Sequence, residues 1–83
     1  MQVNVRYFAS IREAIGTSQE RVETSGRTLS DLRAELLGRG GAYAECLAPG
    51  RALRMALNQV MADDDASLVD GAEVAFFPPV TGG

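Results

Sequence analysis

Very few residues in this sequence are equipped for chemistry, and those that remain after elimination lie at its end. The 83 residues include no histidine, so the commonest general base and the commonest metal ligand are missing. There is one cysteine, Cys46, and no lysine, all eight basic residues being arginine. Cys46 sits among Tyr43, Ala44 and Leu47 with no histidine to activate its thiol. A small buried residue is expected there, not a sulfur-bearing nucleophile. Asp63, Asp64 and Asp65 are consecutive, and consecutive carboxylates do not converge on one ion as the 1, 3, 5 spacing of a calcium loop does. They read as a solvated turn, and no metal site is expected. That leaves Gly82-Gly83, a thin peptide without side chains whose one reactive group is the α-carboxylate. Glycine accepts most φ/ψ values, so such a tail can enter a channel that any larger residue would block. The alternative reading is a frayed end with incidental glycine.

The residues before the tail are suited to presenting it. Val74 to Phe77 reads as a strand, rich in β-branched and aromatic residues. Pro78 and Pro79 stop it, because neither can donate to a sheet ladder and both hold the backbone near an extended geometry. Only Val80, Thr81 and the glycines follow. The expectation is a single domain over 1–83, with 78–83 an extended, flexible tail.

Composition bounds the rest. A hydrophobic fraction of 46% and a charged fraction of 23% are ordinary for a soluble globule with one small core. No apolar run approaches the roughly 18 to 20 residues of a membrane helix, and the N-terminus lacks a signal-peptide pattern. One cysteine allows no internal disulfide, which suits a reducing cytoplasm. The net charge of −3 argues against nucleic acid as a partner. Composition points away from side-chain catalysis.

Along the chain, Gln2 to Phe8 alternates as a half-buried strand, with Val3, Val5 and Tyr7 on one face. Ser10-Ile11-Arg12-Glu13 has capping-box spacing and Gly16 closes a short helix. Ser18 to Thr24 is a polar edge strand. Thr28 caps the main helix, which carries Asp31 in its first turn, the stripe Leu29, Leu32, Leu36 and Leu37, and a stop at Gly38. Ala42 to Leu47 forms a helical turn. Leu53 to Leu57 and Val60-Met61 are strands, Ser67 to Val69 a single turn, and Asp70-Gly71 a turn into the last strand. The order gives an α+β domain, a mixed sheet packed on one main helix. It is a β-grasp, the ubiquitin-like shape, if the first and last strands are parallel neighbours.

Two aromatics break the inward and outward alternation. Phe8 shares a face with Asn4 and Arg6, and Phe77 shares one with Glu73 and Ala75. Parallel neighbouring strands would set Phe8 beside Phe77, with Met61 joining from the short strand. Such an exposed cluster marks an interaction surface. The alternative is that the Ser10 helix or the Asp63 loop covers it.

Val5-Arg6-Tyr7-Phe8-Ala9 followed by Arg12-Glu13, Leu57-Asn58-Gln59 and the run from Asp70-Gly71 through Phe76-Phe77-Pro78-Pro79-Val80-Thr81-Gly82-Gly83 resemble one family. It is the MoaD/ThiS group of β-grasp sulfur carriers, and the resemblance is to its molybdopterin synthase small subunits. It is strongest in the C-terminal third and weakest from Ser18 to Arg54. Ala72 departs from it, standing where the family usually has Asp. The resemblance implies the β-grasp fold and a role in molybdenum cofactor biosynthesis. A ubiquitin-activating-like adenylyltransferase would use ATP to adenylate Gly83, and a sulfur donor protein would then leave a thiocarboxylate. Gly82 would give the tail its slimness, and Pro78, Pro79, Val80 and Thr81 would enter the large synthase subunit within a 2+2 heterotetramer. Phe8, Met61 and Phe77 would bind the partners. No cofactor would be held stably, and the catalytic side chains would belong to the large subunit. A carrier for thiazole, cysteine or tRNA thiolation, a protein modifier, and a plain binding module stay open as alternatives.

Overall fold

The computed structural model of the chain describes residues 1–48, 50 and 52–79. Strand β1 (Gln2–Tyr7) buries Val3, Val5 and Tyr7, as its alternation demands. It lies between β2 (Gln19–Glu23), antiparallel, and β5 (Glu73–Phe77), parallel, with Val5 opposite Val74 and Tyr7 opposite Phe76. On the other side of β5 run β3 (Arg54–Leu57) and β4 (Val60–Met61), giving the order β2-β1-β5-β3-β4. The first and last strands are therefore parallel neighbours at the centre of a mixed sheet, and the fold is a β-grasp. No helix among the described residues is long and apolar enough to cross a membrane.

Two short helices join the main one over the inner face, as the short helix before Gly16 and the turn from Ala42 foretell. Alongside α2 (Leu29–Leu37) stand α1 (Ala9–Ile15) and α3 (Gly41–Leu47), each only seven residues long. Helix α2 starts where the sequence places it. Thr28 accepts from the Asp31 amide, and the Asp31 carboxylate accepts from the Thr28 and Arg27 amides. Those backbone bonds, Arg27 first, hold the Asp31 carboxyl below its ordinary range. Leu29, Leu32 and Leu36 are fully buried, each contributing about 1.5–3 kcal/mol. They meet Tyr7, Val74 and Phe76 in one continuous core, where Tyr7 stacks on Phe76 at 6.3 Å.

Two expectations fail. Ser10 caps nothing, because α1 begins at Ala9 with Phe8 as its N-cap and no side-chain cap bond. Ser67 to Val69 forms no turn. Ser67 bridges Thr28 and the Leu68 amide donates to the Arg27 carbonyl, so the segment runs extended along the entry to α2. Gly16 closes α1 at φ 94°, as expected of a left-handed cap.

Edge strand β2 is tied to the helical layer by one carboxylate. Glu20 accepts from the phenols of Tyr7 and Tyr43, each at 2.8 Å, and from Arg39 at 2.9 Å. Burial pushes the Glu20 carboxyl up, but the bonds from Arg39, Tyr43 and Tyr7 outweigh it and hold the group below its ordinary value. Burial and the same carboxylate drive the Tyr7 phenol far above the usual tyrosine range.

Candidate functional site

The site is the outer face of the sheet together with the end of β5. The strand registers fix what that face carries. Arg6, Ala75, Ala56 and Met61 stand opposite one another across β1, β5, β3 and β4. In the next row Phe77 faces Arg54. Phe8 follows directly after β1, and its ring meets Phe77 edge-on at 6.2 Å and 88°. The two alanines form a floor, largely shielded by their taller neighbours. Around it rise Phe8, 37% exposed, Phe77, half-buried, and Met61, 56% exposed. The expected cluster exists, and neither α1 nor the Asp63 loop covers it.

The rim of the face is charged. Arg6 lies over the Phe8 ring at 5.2 Å and approaches Glu73 at 3.8 Å. Exposed surface keeps that pair weak, within about 1 kcal/mol. Its effect is to steer and orient rather than to bind. Asn58 anchors the β3–β4 hairpin against β5, since its carboxamide oxygen accepts from the Glu73 amide at 2.9 Å. Gln59 follows at the border of the groove. Outward alternation of Ala56 and Ala75 was available in the sequence as a signal for the floor. The hairpin residues carried none in their alternation, only their place in the family resemblance.

The root of the tail is set by the central strand. Held by β1 on one side and β3 on the other, β5 delivers Pro78 and Pro79, both half-buried, beside the Phe8–Phe77 pair. The Phe8 amide donates to the Phe76 carbonyl at 3.2 Å, which fastens the start of α1 to the same point. Val80, Thr81, Gly82 and Gly83 lie outside the described residues. They amount to at most about 14 Å of extended chain beyond Pro79.

The two rejected candidates also have places. Asp63, Asp64 and Asp65 are exposed in a loop. Cys46 is half-buried rather than buried. With Ser10, Ala14 and Leu53 it borders a groove that reaches Pro78. Ala72, the departure from the family pattern, is buried behind the last turn.

Residues 5–83 match the model of the ThiS family. The chain belongs to that family. It is 41% identical over 81 residues to the molybdopterin synthase sulfur carrier subunit of Escherichia coli (strain K12), covering 98% of this chain and 99% of that protein. Among solved structures it matches, over the whole of both chains, a chain from the complex of subunits 1 and 2 of molybdopterin-converting factor from Helicobacter pylori. The TM-score there is 0.70 and the identity 30%. SAMP1 from Haloferax volcanii matches with TM-score 0.79 at 25% identity, again over all of both chains. In this ThiS-family chain Phe8 and Phe77 lie on the outer face, and Pro78 and Pro79 follow at the end of β5.

Proposed function

We propose that this chain is the sulfur-carrying subunit of molybdopterin synthase in molybdenum cofactor biosynthesis, and that Gly83 carries the sulfur. The observation behind this reading is the full-length likeness to such subunits, at 41% identity to one of them. The geometry suits it: an apolar face for partners lies beside the point where the Gly-Gly tail departs.

A carboxylate is a poor acyl donor, because its leaving group would be oxide. An adenylyltransferase overcomes this by letting the Gly83 carboxylate displace pyrophosphate from ATP. The resulting acyl adenylate has AMP as a good leaving group. The outer sulfur of a donor protein's persulfide displaces AMP, and a thiol then cleaves the acyl disulfide, forming a disulfide with the donor sulfur and leaving the thiocarboxylate. The tail then enters the large subunit, a partner kind suggested by the Helicobacter pylori complex. There the thiocarboxylate sulfur forms a C–S bond to a side-chain carbon of a cyclic pyranopterin monophosphate as that carbon's bond to oxygen breaks. Water hydrolyses the resulting thioester, leaving the sulfur on the pterin and restoring the Gly83 carboxylate. Two deliveries build the dithiolene, in keeping with a 2+2 assembly. Acid, base and phosphate-binding groups belong to the partners, and this chain supplies the shaped surface and the acyl carbon. The likeness to SAMP1, a small archaeal modifier protein, supports a second reading, in which the Gly83 acyl group passes to an amine of another protein.

Intact mass decides. With the cognate activating enzyme, ATP and a sulfur source, the chain should gain one oxygen-to-sulfur exchange located at Gly83. Gly82→Leu should stay uncharged, because its side chain blocks the channel. Sulfur on Cys46, or no exchange with a competent enzyme, would sink the carrier reading. Formation of an isopeptide adduct instead would favour the modifier.

A further inference from the structure

Among the described residues, the non-glycine residues with left-handed backbone are Ala9 at φ 51°, Asn58 at φ 50° and Gln59 at φ 69°. Ala9 opens α1, while Asn58 and Gln59 form the β3–β4 hairpin, where Gln59 borders the outer-face groove. Backbone held outside its ordinary regions beside a binding surface is a pointer to function. The hairpin sharpens the point. A two-residue loop with both central φ values positive is the tight turn that matches strand twist, and its preferred pair is Asn-Gly. Asn58 fills its half as expected: asparagine tolerates this conformation, and its amide and carboxamide oxygen both bond to Glu73. Gln59 occupies the position that glycine would fill without strain. No hydrogen bond holds its carboxamide among the described residues, and the side chain is exposed. Nothing within the described chain offsets the strain of placing a long side chain there. That side chain does border the groove of Phe8, Ala56, Ala75 and Phe77.

We propose that Gln59 is a specificity-determining residue of the docking face, its carboxamide pairing with an exposed backbone peptide group of the large synthase subunit. A carboxamide offers a donor and an acceptor side by side, and a peptide group presents the complementary pair. The rigid hairpin, fixed to β5 through Asn58, holds this amide at the edge of an otherwise apolar floor. There it sets register while the aromatics supply the burial. The inference rests on the docking reading above.

Calorimetric titration of the full-length, uncharged carrier against the large subunit, paired with thermal unfolding of the carrier alone, tests it. Gln59→Gly should melt higher by about 3 °C, since left-handed strain is relieved. It should nevertheless bind about fivefold to tenfold more weakly, the loss of one or two neutral hydrogen bonds. Gln59→Ala keeps the Cβ and loses the amide, so it should bind as weakly without melting higher. A merely structural residue would not move stability and affinity in opposite directions. Either variant binding like the parent, or Gln59→Gly melting lower, overturns the proposal. Phe77→Asp is the control. If it too binds like the parent, the docking reading itself falls, whereas if it alone is weak only the role of Gln59 falls.

Discussion

Phe76 and Phe77 are adjacent and perform opposite tasks. Phe76 is wholly buried against Tyr7, and truncating it to Ala should cost about 3–5 kcal/mol of stability. Phe77 points the other way onto Phe8. Phe77→Asp should leave melting nearly unchanged and weaken binding to the large subunit by about 2 kcal/mol or more, as expected of a central anchor. Phe8→Asp gives a cleaner case. Phe8 is the N-cap of α1 and makes no side-chain cap bond. Aspartate is among the best N-cap residues, so this change should hold or raise stability by about 0.5–1 kcal/mol while docking is lost. Unfolding by either variant, or unchanged affinity, would show the residue to be core or irrelevant. Alternation made each ring of this pair legible as outward-facing, because counting by two along β1 and β5 leaves both on the outer side, and the parallel pairing then sets them together. Gln59 was legible only as part of the family resemblance, not in its role. Its significance lies in a backbone angle, and an Asn-Gln pair is not a turn signal as Asn-Gly is.

At the scale of elements, sequence was informative where local chemistry decides and silent where tertiary contacts do. Helix α2 announced itself through Thr28, Asp31 and the leucine stripe, all satisfied within the helix and the sheet beneath it. Ser10 looked like a cap, but the Phe8 amide is engaged by the Phe76 carbonyl and the chain turns two residues earlier. Ser67 to Val69 looked like a turn because its bridge to Thr28 lies far away in sequence. The tie between β2 and the helices was equally invisible, since Glu20, Arg39 and Tyr43 converge only after folding. It makes a testable pH dependence. The Glu20 carboxyl is lower in the folded chain than its ordinary value near 4.5. Its contribution to stability is therefore fully present above that value and is lost as pH falls through the lowered one. Glu20→Gln should cost about 1 kcal/mol near neutrality, modest because Arg39 is partly exposed. It should also flatten the decline in melting temperature between pH 5 and pH 3, whose limits are about those of an ordinary carboxylate titration. An unchanged acid limb in Glu20→Gln would remove Glu20 as the source.

For the molecule as a whole, size turns a single face into a logic of exchange. The accessible surface is 4896 Å², and a stable protein interface covers about 800 Å² of each partner, roughly a sixth of it. Only one outer sheet face adjoins the tail, because α1, α2 and α3 cover the other. The parallel pairing of β1 with β5 creates this arrangement by bringing Phe8 to Phe77 at the strand end from which the tail departs. Periodicity could name those strands but not pair them, so the family resemblance supplied what the pattern lacked. A partner acting on Gly83 must approach within at most about 14 Å of Pro79, the reach of the four remaining residues, and the outer face is the apolar sheet surface adjoining that point. If both partners dock there, activating enzyme and large subunit exclude one another, and charging and delivery alternate. Added activating enzyme should raise the apparent Kd of the carrier for the large subunit linearly with its free concentration, without reaching a plateau, and with no ternary complex in native mass spectra. Phe77→Asp should weaken both binary complexes together. A ternary complex containing one copy of each protein, or a Phe77→Asp effect on one partner alone, would show that the two partners use separate surfaces.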